Sequence, residues 1–337
     1  MRRKLASIQQ ISKIEPIQNA ERIERATVLG WQTVIRKGEF AVGDKVIFIE
    51  VDSLVPRMPQ TEFLQKDPSI EFPVRLCTQK LRGCLSQGVA LSVQGFDLPN
   101  TDIGTDVTDL LGITKHEYTI SPDMIGTIAD GFPTYLISGT ELMRLQTCPN
   151  ILIEKADTNV YVTEKCDGFS FTSFWNKDVG ELWVCSSDVR LVDDGRNPCW
   201  KVANELDLAT KLRGIDIAIQ GELVGPTIRG NKLGLDKLSL RVFNVYDMVQ
   251  KRRLSLAESL VVVMALDLIF VPIIDAFIKI GSRSLDEWLE AAQGTYPGTK
   301  NPREGIVVKS LVYDYCETLY DDTCFKVLNN VHLLKEK

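Results

Sequence analysis

Histidine is almost missing from this chain: His116 and His332 are the only two in 337 residues. Neither stands near a cysteine cluster, so no zinc site is expected. Imidazole acid–base chemistry is poorly supplied as well, and any enzymatic chemistry must lean on lysine, aspartate and glutamate. C-x-x-C pairs are absent among Cys77, Cys84, Cys148, Cys166, Cys185, Cys199, Cys316 and Cys324. The eight therefore read as reduced thiols of an intracellular protein rather than as a disulfide framework. The start, MRRKLASIQQISK, is basic but lacks an apolar run, so no secretory signal is expected and the location is read as cytoplasmic. Uninterrupted hydrophobic runs are lacking too. SLVVVMALDLIFVPIIDAF (Ser259 to Phe277) is broken by Asp267, Pro272 and Asp275, well short of the roughly 20 residues a bilayer requires. Ser255 and Glu258 upstream have capping-box spacing, so a buried helix followed by a short strand, IFVPII, is expected and no membrane is implied. Excess positive charge is also missing. A net charge of −6 excludes coating nucleic acid by bulk electrostatics and leaves open a local basic groove.

What is present is an ordinary globular composition, 44% hydrophobic and 25% charged. The first hundred residues read as short strands punctuated by glycine. ATVLGWQTVIRKGEF (Ala26 to Phe40) and VGDKVIFIEVDSLVP (Val42 to Pro56) meet at a Gly-Asp turn, and Phe72 to Val93 adds two more strands around Gly83 and Gly88. Such spacing suits a small Greek-key barrel of the OB type, or another small β-barrel or sandwich. Pro, Gly and Asp loosen the pattern before about Thr134, which divides the chain into a barrel over residues 1–115, a linker over 116–135 and a second domain over 136–337. Strands and helices alternate in that second domain, giving an α+β fold built largely from antiparallel strands.

The stretch VTEKCDGFSFTSFWN (Val162 to Asn176) places Lys165 just before an Asp-Gly turn between two β-prone runs. By itself K-x-D-G is a weak signal, since a lysine at a corner is ordinarily a surface residue. Its company changes that reading. Glu222 ends the apolar strand IQGELVG, Phe243 and Tyr246 lie on LRVFNVYDM, Glu304 and Lys309 lie on REGIVVKS, and Lys326 lies on CFKVLNN. A lysine nucleophile with two strand-borne glutamates, an aromatic and two further lysines is what binding a nucleotide and attacking its α-phosphate requires.

This order resembles that of the covalent nucleotidyltransferases, the polynucleotide ligases and mRNA capping enzymes. MRRKLASIQQISKIEPIQNAERIERATVLGWQTVIRKGEFAVGDKVIFIEVDSLVP, QKLRGCLSQGVAL, DVTDLLGITKHE and AIQGELVGPTIRGNKLGL narrow it. They resemble the ATP-dependent RNA ligases that include the Deinococcus and Naegleria enzymes, over nearly the whole chain. Capping enzymes and DNA ligases resemble only the second domain and usually carry their OB domain after it. The resemblance implies an OB domain followed by an ATP-grasp-like adenylyltransferase domain.

It also implies roles. Lys165 would attack the α-phosphorus of ATP, with Lys309 and Lys326 neutralising the phosphate. Arg144, Glu164, Glu222 and Phe243 would bind the nucleotide alongside these two lysines, Glu222 at the ribose and Phe243 against adenine. Glu304, assisted by Asp167, would hold Mg²⁺ or Mn²⁺, chiefly through water. Lysine has an ordinary pKa of about 10.4, so the pocket is expected to lower that of Lys165, through burial or neighbouring positive charge. The partner would be RNA ends or nicked RNA-containing duplexes, met by Arg36, Lys37, Lys80 and Arg82 of the barrel, and the protein would be a monomer. Two positions depart from the family. VCSSDVRL has Ser186, Ser187 and Asp188 where Ser-Arg-Asn is usual, leaving Arg190 as the nearby cation, and Val331 stands where a basic residue is expected. A DNA ligase, a capping-type guanylyltransferase and a ligase-derived binding protein without catalysis are the alternatives.

Overall fold

Short β-branched and aromatic runs between glycine turns make strands the prevailing element. The structure, a computed structural model, describes residues 3–65, 67, 69–116 and 126–335. Part of the expected linker, residues 117–125, lies outside the described residues. The chain divides into two compact units, Met1–Tyr118 with Leu145–Pro149 and Asn330–Lys337, and Thr119–Arg144 with Asn150–Asn329.

The first unit is built on β1 (Ala6–Pro16), β2 (Ile23–Val28), β3 (Trp31–Arg36), β4 (Lys45–Ile49), β5 (Ser53–Val55), β6 (Val74–Arg75), β7 (Gln79–Leu81), β8 (Cys84–Ser86), β9 (Val89–Ser92) and β10 (Thr114–Lys115). One sheet runs in the order β3-β2-β1-β4-β9 and another β10-β5-β6, while β7 and β8 form a hairpin. Strand β1 serves two partners. Its first half pairs with β4 and its second with β2, and the register shifts between Ile11 and Lys13 so that the strand can bend from one to the other. Ile8, Ile47, Ile49 and Val55 fill one core cluster, and Ile11, Trp31, Val46 and Phe48 another. The run Ala26 to Phe40 contains a hairpin turn at Leu29-Gly30, and Phe72 to Val93 makes four short strands where the sequence suggested two. Arg36, Lys37, Lys80 and Arg82 are all exposed.

In the second unit come β11 (Ile128–Gly131), β12 (Asn159–Lys165), β13 (Phe169–Asn176), β14 (Glu181–Cys185), β15 (Val189–Leu191), β16 (Ile217–Val224), β17 (Ser239–Asp247) and β18 (Arg252–Arg253). They are followed by β19 (Ile269–Phe270), β20 (Ile273–Lys279), β21 (Gly305–Ser310), β22 (Tyr315–Cys316), β23 (Asp321–Asp322) and β24 (Cys324–Leu328). The large sheet has the order β11-β15-β14-β13-β16-β17-β18 with β19 parallel to β17, and a smaller one the order β20-β12-β21-β24. Strict alternation sorts the side chains of β16. Ile219 and Leu223 join Phe171, Val242 and Val263 in the core formed with the helices Pro198–Glu205, Leu208–Leu212 and Leu256–Ala265, while Gln220 and Glu222 are left on the opposite face. Behind the smaller sheet, Trp288 of the helix Leu285–Ala291 meets Phe325 edge-on, with ring centroids 6.1 Å apart.

The segment Ser259 to Phe277 departs from its expected form in two ways. The helix Leu256–Ala265 is amphipathic rather than buried: Val263 is 2% exposed but Val261 and Met264 are 67% and 79% exposed. IFVPII is not one strand, because Val271 and Pro272 carry the chain from the large sheet to the smaller one. The capping box is present, with Ser255 and Glu258 exchanging hydrogen bonds at the helix start. Ser255→Ala should lower stability by about 1 kcal/mol, read as a shift in the denaturant midpoint with no change in slope. Among the described residues no helix is long and apolar enough to cross a membrane. All eight cysteines are free thiols.

Candidate active site

Lys165 is the last residue of β12, and after three intervening residues the chain re-enters the large sheet as β13. The Asp-Gly corner is therefore not a hairpin turn: it joins two sheets. Register places the lysines. Lys165 pairs with Gly305, Tyr161 with Lys309 and Val307 with Lys326, so Lys165, Lys309 and Lys326 occupy one face of the smaller sheet. Glu164, one residue earlier, falls on the other face, buried. Burial raises its carboxyl pKa, opposed by Arg303 and Arg241. The structure does not bring its side chain to Lys165.

Glu304 immediately precedes β21, and its Oε2 accepts from Lys165 Nζ at 2.8 Å. On the facing large sheet, Glu222 Oε1 accepts from the Gly168 amide at 3.2 Å. That contact is why residue 168 has no side chain. A Cβ there would lie 2.3 Å from the Leu223 carbonyl oxygen and 2.8 Å from Glu222 Cγ. Asp167 is buried and ion-paired with Lys232. Arg144 is buried beside Lys326: their segments form a parallel bridge, with Lys326 N donating to Met143 O at 2.9 Å.

Phe243 is placed by a β-bulge. Gly221 pairs with Val242 and Gln220 with Asn244, leaving Phe243 as the extra residue, so that Phe243 and Asn244 both serve the Glu222 face before Val245 returns to the core. Lys309 fixes this bulge from the other sheet. Its Nζ donates to Phe243 O and Asn244 Oδ1, both at 2.7 Å, and stands 5.1 Å from the Phe243 ring centroid. An ammonium has three donors, so one N–H remains for a phosphate oxygen.

The electrostatics correct one expectation. Burial disfavours the Lys165 ammonium, but the Glu304, Glu222 and Asp167 carboxylates outweigh burial and hold Lys165 above the ordinary lysine range, not below it. Lys309 behaves as expected of a buried cation: burial lowers it to about 8, with Arg253 adding to the shift. Burial pushes Glu222 up to about 7, partly offset by Lys165.

Among the described residues no group of three or more Asp, Glu, His or Cys side chains stands ready to hold a metal. Glu304 and Asp167 nevertheless suit a hard cation that keeps its water shell, which needs only one or two carboxylates besides phosphate oxygens. Together with Glu222 they outweigh burial at Lys165 and hold it charged, so the corner carries a field that favours positive charge.

Arg190 does not stand free to replace the cation missing at Ser187. It makes two 2.9 Å hydrogen bonds to Asp130 on β11 and lies 4.4 Å from the Trp183 ring centroid. Sequence reasoning passed over Lys232, Asn244 and Tyr296, which brace the site. Tyr296 had one visible mark, a single aromatic in the turn-rich GTYPGTKNPREG.

Two antiparallel sheets meeting at a lysine-bearing corner, preceded in the chain by a small barrel, define a covalent nucleotidyltransferase of the ligase class. An RNA ligase family model matches residues 158–328 and an OB-fold domain model matches residues 5–93. The chain belongs to the RNA ligase family. Among solved structures, Naegleria gruberi RNA ligase with PPi superposes with a TM-score of 0.89 at 33% identity, covering 99% of both chains. Mutants of the same ligase with ATP and Mn, and with AMP and Mn, each give 0.89 at 32% identity, again over 99% of both chains. No curated protein sequence matches the chain.

Proposed function

We propose that this protein is an ATP-dependent RNA ligase that works through a lysyl-AMP intermediate on Lys165 and seals 3′-hydroxyl to 5′-phosphate ends. One observation carries the reading: Lys165 Nζ lies 2.8 Å from Glu304 Oε2 on one sheet and is within electrostatic reach of Glu222 on the other. In the first step Nζ, having lost a proton, attacks the α-phosphorus. The N–P bond forms, the bond to the β-phosphate oxygen breaks, and pyrophosphate leaves. A 5′-phosphate oxygen then takes the AMP and frees the lysine, and a 3′-hydroxyl displaces AMP to close the strand.

Glu304 and Asp167 would hold a divalent cation, which supplies charge compensation for the phosphates. Glu304 is the nearest acceptor for the proton leaving Lys165. Lys309, Lys326 and Arg144 neutralise the phosphate, while Glu222 orients the ribose and Phe243 offers adenine a flat apolar face. We assign the barrel over 1–115 to nucleic acid, 116–135 to a linker whose β11 adds an edge to the large sheet, and the chain from 136 to the transferase, apart from Leu145–Pro149 and the residues from Asn330, which belong to the barrel unit. RNA on the 3′-hydroxyl side is the preferred substrate.

The test is incubation with α-labelled ATP and Mg²⁺ or Mn²⁺, a denaturing gel, and a chase onto nicked duplexes with RNA or DNA at the 3′-hydroxyl. A labelled protein band that chases onto RNA-ended nicks is expected. Label from GTP alone indicates a capping-type enzyme. No adduct after pyrophosphate stripping leaves a binding protein.

The pH dependence should separate the two lysines. Lys165 must lose a proton, so adduct formation rises with pH. Lys309 is charged below about 8 and loses that charge above it, so the rise levels off there. Lys309→Arg keeps the charge, and single-turnover adduct rates should continue rising past that point.

A further inference from the structure

Tyr296 is a buried residue, 1% exposed, in the loop 294–304 that leads into Glu304. Its hydroxyl donates to the Lys165 carbonyl at 2.9 Å and accepts from the Glu304 amide at 3.1 Å. The Lys165 ammonium itself donates to Glu304 Oε2 at 2.8 Å. These three contacts close a ring: the phenol joins the two backbones, and the side chains of the same two residues join in front of it. The two bonds of the buried phenol hold the backbone ends of the partly exposed ion pair to one distance.

The loop is built to keep the phenol in place. Tyr296 N donates to Asn301 O at 3.0 Å, and Arg303 N to Gly294 O at 3.0 Å. The Arg303 guanidinium is fastened to the carbonyls of Ala291, Ala292 and Gln293, and Asn329 donates its amide to Glu304 O at 2.9 Å. A second brace leaves from the same loop. Asn301 Nδ2 donates to Lys232 O at 2.8 Å, and the Lys232 ammonium holds Asp167. One loop thus reaches two of the three carboxylates beside the nucleophile, Glu304 and Asp167.

We propose that loop 294–304 is a positioning element of the adenylylation centre, acting mainly through the Tyr296 hydroxyl, which registers the Lys165 backbone against that of Glu304. The proposal rests on Lys165 being the nucleophile. Misplacement of a reacting group by about 1 Å can cost about a hundredfold in rate, and losing one of several restraints should cost less. Tyr296→Phe removes only the oxygen and keeps the ring that fills the core.

The experiment measures single-turnover lysyl-AMP formation, KM for ATP and thermal midpoint for wild type, Tyr296→Phe and Asn301→Ala. Wild type beside Lys165→Ala tests the nucleophile separately, so failure of that reading shows before the variants are compared. Tyr296→Phe should form adduct about tenfold more slowly at saturating ATP, with KM within about twofold of wild type. Asn301→Ala, with its bond at an exposed position, should melt as wild type does and be slowed about threefold. An unchanged saturating rate in Tyr296→Phe overturns the proposal, as does a lowered thermal midpoint alone. If Tyr296→Phe does not fold, Asn301→Ala decides: slowing at an unchanged midpoint supports the loop's role, and a wild-type rate overturns it.

Discussion

Lys165→Arg and Lys165→Ala should form no labelled adduct from about pH 6 to about pH 10, while both still seal a strand supplied already adenylylated. Arginine keeps the charge and the pairing with Glu304 but stays protonated throughout that range, so it offers no lone pair to phosphorus. Alanine removes the nucleophile outright. The loss should exceed about four orders of magnitude in adduct formation, the scale seen when a nucleophile that acts as part of a unit is deleted. Sealing of a pre-adenylylated strand needs no attack by Lys165, so it should fall far less. A labelled band in the alanine variant would mean that a different side chain takes the AMP. Lys309 is a poor substitute, since its ammonium is tied to Phe243 O and Asn244 Oδ1.

Gly168→Ala should be the most damaging change that leaves every charged group of the site in place. Its added methyl would stand 2.3 Å from a backbone oxygen of β16 and 2.8 Å from Glu222 Cγ, and a strand held on both sides yields little. Overpacking of this kind costs about 1–3 kcal/mol in stability. The catalytic loss should be larger, about a hundredfold or more, because the two sheets part where the Gly168 amide meets Glu222. Equilibrium denaturation and single-turnover adduct formation on the same preparation separate the two effects. A variant with normal adduct rates would show that the close approach of the corner to Glu222 is dispensable.

Much of the fold was legible because period-two alternation is a local property. IQGELVG shows its core face and its polar face in the order of its letters, and REGIVVKS and CFKVLNN likewise put Lys309 and Lys326 on strands. What alternation does not reveal is the neighbour a strand will take. Hence IFVPII looked like one strand but is divided between two sheets, and K-x-D-G looked like an ordinary turn. The helix after Ser255 looked buried because its composition is apolar, although only one side of it meets the core. The raised pKa of Lys165 was hidden for a related reason. Three carboxylates from residues 167, 222 and 304 converge on it only after folding, and no spacing announces that sum. Nor does any pattern announce the bulge at Phe243, which exists because two strands differ in length by one residue.

The division of the chain into two units bears on the order in which the molecule can be finished. The barrel unit includes Leu145–Pro149 and the segment from Asn330. Gln146 O receives the Gly30 amide, Thr147 donates to buried Glu50, and Asn330 Oδ1 accepts from Gln87. A ribosome delivers Asn330 only after residues 150–329 have been synthesised, and domains made first normally fold first. Here the first-made domain waits for its last piece until the later-made one has left the ribosome. Folding during synthesis is therefore interleaved, and a fragment ending near residue 118 is a barrel with its own amide, carboxylate and glutamine partners missing.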